Sequence, residues 1–224
     1  KAIFCEKRDT MAYQMKQEEI DAVLSILPQM YPDAKVELRF EDGFTLLVST
    51  ILAAQCTDKQ VNKVTPALFE RFPDPYAFAA ATPEEVEPYI RSCGFYSTKA
   101  KNIVAASKMI CEVYGGEVPR SIEEMQKLPG VGRKTADVVG AAAFGLDAIA
   151  VDTHVFRVSN RIGLADAKDV LKTEYQLMEN IPKDKWSVAH LWLIFLGRRQ
   201  CSARKPKCET CPLAPYCRYH RENH

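Results

Sequence analysis

The sequence predicts an all-α protein. Three observations carry that expectation. Apolar residues recur at three- and four-residue steps in one segment after another; capping residues, prolines and glycines bracket those segments; and two-residue alternation is missing apart from a few residues around Ile149, Ala150 and Val151. With 224 residues, 47% hydrophobic and 26% charged, the chain is long enough to bury a core as one domain or two small ones.

The elements follow in order. Residues 1–14, in which Met11 follows KAIFCEKRDT, lack clear periodicity and are expected to form a flexible leader. Over 17–30, Ile20, Val23, Leu24 and Leu27 share one helical face. FTLLVSTILAA (44–54) is apolar all round, which predicts a central buried helix. Val61, Val64 and Leu68 mark a short amphipathic helix ending near Pro73. Thr82, Pro83 and Glu85 compose a helix start, with Pro at the first position and Glu closing a capping box. A helix over 98–114 stops at Gly115 and Gly116. Ser121 and Glu124 repeat the capping box before a helix that buries Ile122, Met125 and Leu128. Helices are expected over 133–144 and 153–162, and fainter ones over 167–180 and 184–197. No fixed-period repeat or low-complexity linker appears.

Net charge is only +1, which argues against a uniformly basic coat but not against local patches. No apolar run reaches membrane-spanning length and no signal peptide is visible. Four of the eight cysteines fall in the last 24 residues, a pattern that favours a local metal or cluster site over a disulfide framework.

LPGVGRKTADVV (128–139) is the first stretch with chemistry in it. Pro129 ends one helix, Gly130 and Gly132 permit positive φ and close backbone approach around Val131, and Arg133 and Lys134 open the next helix. Unpaired amides at that helix start suit a phosphate, so the hairpin residues Gly130, Val131, Gly132 and Arg133 would grip a nucleic-acid backbone without reading bases. A plain helix-to-helix turn is the alternative. Lys134 is either a phosphate-contacting lysine or a nucleophilic amine. An ordinary lysine is neutral in only about 1 molecule in 2,500 at pH 7, and lowering its pKa by about 3 units costs about 4 kcal/mol, largely through burial.

Asp152, in IAVDTHVFRV, can cap the following helix. It can do more. The helix over 133–144 is roughly 18 Å long, and the linker to residue 151 spans up to about 23 Å if extended. The chain can therefore return and set Asp152 beside Lys134, an amine and a carboxylate suited to attack at a sugar carbon and to proton transfer.

The tail reads CSARKPKCETCPLAPYC. Cys201, Cys208, Cys211 and Cys217 have ligand spacing, and spacing alone leaves a four-thiolate zinc site and an iron–sulfur cluster both open. From Arg198 to Arg221, seven Lys or Arg stand against Glu209, a local surplus of six. These charges either face a DNA backbone or offset the thiolates.

LPGVGRKTA, AVDTH and the Cys-x6-Cys-x2-Cys-x5-Cys tail, in that order, resemble the endonuclease III family of helix-hairpin-helix DNA glycosylases and abasic-site lyases, over about residues 17–220. The resemblance implies two helical domains with a DNA cleft between them. One is a six-helix barrel domain over 36–146 holding the helix-hairpin-helix motif; the other is an iron–sulfur domain of 15–35 plus 147–224. It implies a bifunctional enzyme of base excision repair. Lys134 would displace an oxidised pyrimidine and cleave the abasic site by β-elimination through a Schiff base, Asp152 would be the catalytic carboxylate, and the four tail cysteines would hold a [4Fe–4S] cluster. The DNA partner would be a duplex with a damaged pyrimidine or abasic site, its lesion nucleotide flipped out, and the family resemblance implies a monomer working inside the cell, in a bacterial cytoplasm at the nucleoid. Gln55, in AQCTD, matches the residue that enters the vacated stack. Phe95, in CGFYSTKA, matches an apolar wedge that is usually leucine in the family. A polar cap and a core aromatic are the alternatives for these two. Asp137 stands where the family often has an amide and is expected to point away from the lysine. His154 is expected to contact DNA, and His190 to be an ordinary helix residue. Relatives that lack the lysine stop at base removal, so a mismatch glycosylase, or a non-catalytic hairpin module, is the competing reading.

Overall fold

The computed structural model describes residues 15–223. Within them the chain is helical, with no strand: α1 (Gln17–Met30), α2 (Gly43–Ala53), α3 (Asp58–Arg71), α4 (Pro75–Ala80), α5 (Pro83–Ile90), α6 (Tyr96–Tyr114), α7 (Ile122–Met125), α8 (Arg133–Phe144), α9 (Thr153–Ile162), α10 (Val170–Asn180), α11 (Trp186–Arg199) and α12 (Arg218–Asn223). The all-α expectation therefore holds. The residues around Ile149–Val151 are buried but form no strand, so they serve as a linker between α8 and α9. The expected leader, 1–14, lies outside the described residues.

Two cores are built. One collects side chains from Leu38 to Val139, including Leu46, Leu47, Ile103 and Met125. The other joins Met15–Tyr31 from the start of the described chain to Ile149–Leu213 from its end. α2 is buried on nearly every side, as its apolar composition predicts, and packs against α3, α6 and α8. Asp42 starts it by accepting from the Thr45 amide at 2.8 Å. Its other end is met by a residue that sequence reasoning passed over. Lys99 is buried, and its Nζ donates to the Leu52 carbonyl at 2.8 Å, while burial pushes the amine below its usual range.

Glu85 completes its capping box at Thr82, accepting from that residue's amide at 2.8 Å. Glu124 does not complete its box. Ser121 caps the Glu124 amide, but the Glu124 carboxylate turns to the Tyr114 hydroxyl at 2.8 Å and to Lys127 Nζ at 2.6 Å. A tertiary hydroxyl donor and a nearby cation outcompete the local backbone amide, and α7 is left a single turn.

Candidate active site and cluster loop

The hairpin lies between α7 and α8. Gly130 adopts φ +78°, and a Cβ there would stand 2.7 Å from the Asn102 side chain, so only glycine fits. Gly130 and Gly132 are exposed. Gly132 is the N-cap of α8, and no side chain caps that helix. Its first-turn amides are thus left open at the positive helix end, the arrangement a phosphate needs. Val131 differs from the expectation for it. Its side chain is buried in the first core and its N–H donates to the Leu128 carbonyl at 3.1 Å, so it anchors the turn from below.

Lys134 is exposed, so the chain alone does not bury the amine. It lines a cavity together with Asp152 and His190, between α2, α8 and α11, whose wall also holds the ion pair that joins Arg198 to Asp58 at 3.2 Å. Asp152 does two things at once. Its Oδ1 accepts from the His154 and Val155 amides at 2.8 Å each, capping α9, and the residue still lines the cavity.

His190, read from sequence as an ordinary helix residue, is part of this wall. It is 3% exposed, and its Nδ1 has no hydrogen-bond partner among the described residues. Burial pushes the ring down to about 4, against an opposing pull from the Trp186 backbone and the Asp152 carboxylate, so the imidazole is neutral at physiological pH. The only signal in the sequence was a single histidine in an apolar run.

Arg133 turns away from the cavity. Its Nε lies 3.0 and 2.9 Å from the two carboxylate oxygens of Glu174 on α10, and Nη2 lies 2.6 Å from Oε1. Asp137, one turn further along α8, is buried on this side and is absent from the cavity wall that holds Lys134. Burial and the charge of Glu174 push Asp137 up to about 7. His154 packs between α9 and α11, with its Nδ1 3.2 Å from Arg157 Nη2 and its Cβ against Gly197, so its ring is committed to an internal contact.

Gln55 and Phe95 are both exposed, Phe95 at 67%. They are the two residues other than glycine with positive φ among those described, +52° and +57°. A core role for Phe95 is therefore ruled out. Left-handed backbone at a bulky exposed aromatic costs stability, and such strain gathers at functional loops.

Cys201, Cys208, Cys211 and Cys217 are half-buried free thiols that ring one cavity with Ile162, Leu196 and Leu213. Burial pushes Cys208, Cys211 and Cys217 upward, and neighbouring thiols add to it. Four thiols around one cavity supply the all-cysteine ligand set that an iron–sulfur cluster takes. Two arginines of α9 brace the loop. Arg157 Nη2 donates to the Gly197 and Cys201 carbonyls at 3.0 and 3.1 Å, and Arg161 donates to the Ser202 and Ala203 carbonyls at 2.8 Å each, with Cys201 Sγ at 3.4 Å. Of the basic tail, Arg198, Arg199, Arg218 and Arg221 are drawn into ion pairs with acids elsewhere. Arg204, Lys205 and Lys207, all between the first two cysteines and open to solvent, make none among the described residues.

Among the described residues no helix is long and apolar enough to cross a membrane. Residues 48–183 match the model of the HhH-GPD superfamily base excision DNA repair proteins, and residues 201–217 match the iron–sulfur binding domain of endonuclease III. The cofactor is accordingly a [4Fe–4S] cluster. Endonuclease III of Bacillus subtilis is 51% identical over 90% of this chain and 92% of its own length. That of Escherichia coli K12 is 42% identical over 88% and 93%. A trapped endonuclease III–DNA covalent intermediate superposes with a TM-score of 0.88 at 47% identity, covering 93% of this chain and 99% of that one. A thermostable thymine-DNA glycosylase shares the fold alone, with a TM-score of 0.83 at 24% identity over 92% and 98% of the two chains. On these matches, and on a helix-hairpin-helix start that faces a lysine–aspartate cavity, the chain belongs to the endonuclease III family of base excision DNA repair enzymes.

Proposed function

We propose that this protein is a bifunctional DNA N-glycosylase that removes oxidised pyrimidines from duplex DNA and then cleaves the abasic site. It would act as a monomer at the bacterial nucleoid, with residues 36–146 and 15–35 plus 147–224 as its two domains. The observation that carries the reading is the shared cavity: Lys134, from the hairpin helix, and Asp152, from the α9 cap, line one space. The open amides of α8, with Gly130 and Gly132, would hold the phosphates. Gln55 would fill the vacated stack, and Phe95 would wedge between bases. Because Lys134 is exposed in the free protein, the bound strand must supply the missing desolvation.

The neutral amine of Lys134 attacks C1′ and the N-glycosidic bond breaks, its electron pair leaving with the base, which takes up a proton. Asp152, fixed through Oδ1, stabilises the cationic sugar and takes the proton that the attacking nitrogen sheds. Opening of the C1′–O4′ bond gives the Schiff base. Loss of a C2′ proton expels the 3′ phosphate, and water hydrolyses the imine to free Lys134. Cys201, Cys208, Cys211 and Cys217 would hold the cluster. When bound it supplies a rigid anionic core on which the loop with Arg204, Lys205 and Lys207 is folded.

Borohydride reduction in the presence of an oligonucleotide carrying thymine glycol or an abasic site should join protein and DNA covalently. Lys134→Ala should abolish both the adduct and nicking while DNA binding persists. An unmodified protein that cannot be trapped, or a Lys134→Ala protein that still nicks, would overturn the assignment.

A further inference from the structure

We propose that Glu174 is a positioning residue for Lys134: through Arg133 it fixes the first turn of the hairpin helix against the half of the molecule that carries Asp152, and it keeps Arg133 off the DNA. The proposal rests on the reading of Lys134 as the nucleophile.

Arg133 is the first residue of α8, which packs on the first core, whereas Glu174 lies on α10 beside the second core. The contact is made through both Nε and Nη2 and reaches both carboxylate oxygens, at 2.6 to 3.0 Å. Such a fork fixes the plane of the guanidinium as well as its distance. Glu174 is 4% exposed. A carboxylate buried that far must be paired, so the contact is a requirement of the packing rather than a surface ornament. The Tyr175 ring, 5.8 Å from the guanidinium carbon, borders the pair.

The geometry of a helix carries this constraint to the lysine. Neighbouring residues project about 100° apart around the axis. With Arg133 drawn to Glu174 on one side, Lys134 is turned toward the cavity wall it shares with Asp152. Nucleophile and carboxylate come from different cores, and the Arg133–Glu174 pair ties the two within one residue of the reacting amine. Misplacement of a reacting group by about 1 Å is enough to cost about a hundredfold in rate.

Asp137 supplies an independent mark of the same pairing. It stands four residues after Arg133 on α8 and is buried, in the position where an arginine normally meets a carboxylate along a helix. Glu174 has taken that arginine instead. The charged groups that act on Asp137 are Arg133 of its own helix, Glu174 of α10 and Glu123 of α7, two acids against one base.

The test is single-turnover kinetics on abasic-site DNA with the full-length, cluster-loaded protein. Glu174→Gln keeps the shape of the side chain and removes its charge. The cleavage and borohydride-trapping rates should fall at least tenfold, with the duplex dissociation constant unchanged or lower because Arg133 is released toward phosphate. The Asp137 carboxyl, followed by NMR titration, should drop below its wild-type midpoint as Arg133 turns to it. Arg133→Lys, which keeps the charge but loses the fork, should give the same rate loss and remains informative if Glu174→Gln does not fold. The Arg133→Lys/Glu174→Gln double variant should lose no more than either single one. Wild-type rates in the folded single variants, or rate and affinity falling together, would overturn the proposal. Failure of the wild-type protein to trap DNA would instead overturn the assignment of Lys134.

Discussion

Gln55 and Phe95 stand on adjoining loops, and a Cβ added to Gly94 would sit only 3.5 Å from the Gln55 carbonyl oxygen. Both residues hold left-handed backbone, one just past the end of the buried helix α2 and the other as the N-cap of α6. Lys99 of α6 reaches back to the last turn of α2, so the two strained residues are presented by one braced corner. Phe95→Ala should slow excision about fivefold or more, since stacking of a base on an aromatic ring is worth about 1–3 kcal/mol. Gln55→Gly should leave thermal stability equal or higher, because glycine relieves the strained φ, while excision falls. Melting curves and excision rates measured on the same preparations separate the two effects.

Asp137 gives a pH dependence of known sign. Its folded midpoint, pushed up to about 7 by burial and by Glu174, lies above the ordinary carboxyl value. Between those values the folded state binds more protons than the unfolded one, so stability falls as pH rises through the window and the decline is complete above pH 7. The full shift corresponds to up to about 4 kcal/mol. Asp137→Asn should therefore raise the melting temperature at pH 8 and have little effect at pH 4.

His190 acts in the opposite sense. Its folded midpoint of about 4 lies below the ordinary histidine value, so the unfolded state binds the extra proton between them. Stability from this residue is present above the ordinary midpoint and declines as pH falls toward 4, by about 3 kcal/mol in all. Because the Asp137 and His190 contributions oppose each other below about pH 6.5, the ordinary histidine midpoint, wild type should show a flat acid limb. His190→Asn should tilt that limb so that stability rises as pH falls from about 6.5 to about 4, an outcome urea unfolding at a series of pH values would reveal.

The cluster loop makes a prediction about salt. Arg204, Lys205 and Lys207 are open to solvent without ion pairs among the described residues, whereas the other four basic residues of the tail are occupied. Replacing all three by Gln should flatten the plot of log affinity against log salt by about 0.9 for each phosphate that is no longer neutralised, leaving the visible absorbance of the cluster intact. Cys208→Ser should diminish that absorbance and disturb the loop that Arg157 and Arg161 brace.

Much of this protein was determined by its sequence alone, where the governing physics is local. Helices α8 and α9 begin and end where the glycines and Asp152 place them, because a cap or a left-handed stop acts over a few residues. The four tail cysteines were legible for the same reason, and chain length alone allowed Asp152 to return to Lys134. The tertiary structure decided what depends on distant partners. It gave Arg133 to Glu174, 41 residues away, rather than to phosphate. It placed His190 in the cavity wall, turned Asp137 into a buried acid, seated Lys99 on the Leu52 carbonyl and forced Gln55 and Phe95 into left-handed backbone. Each of these outcomes depends on which charge or carbonyl another helix brings to a buried point, and no pattern of spacing along the chain encodes that meeting.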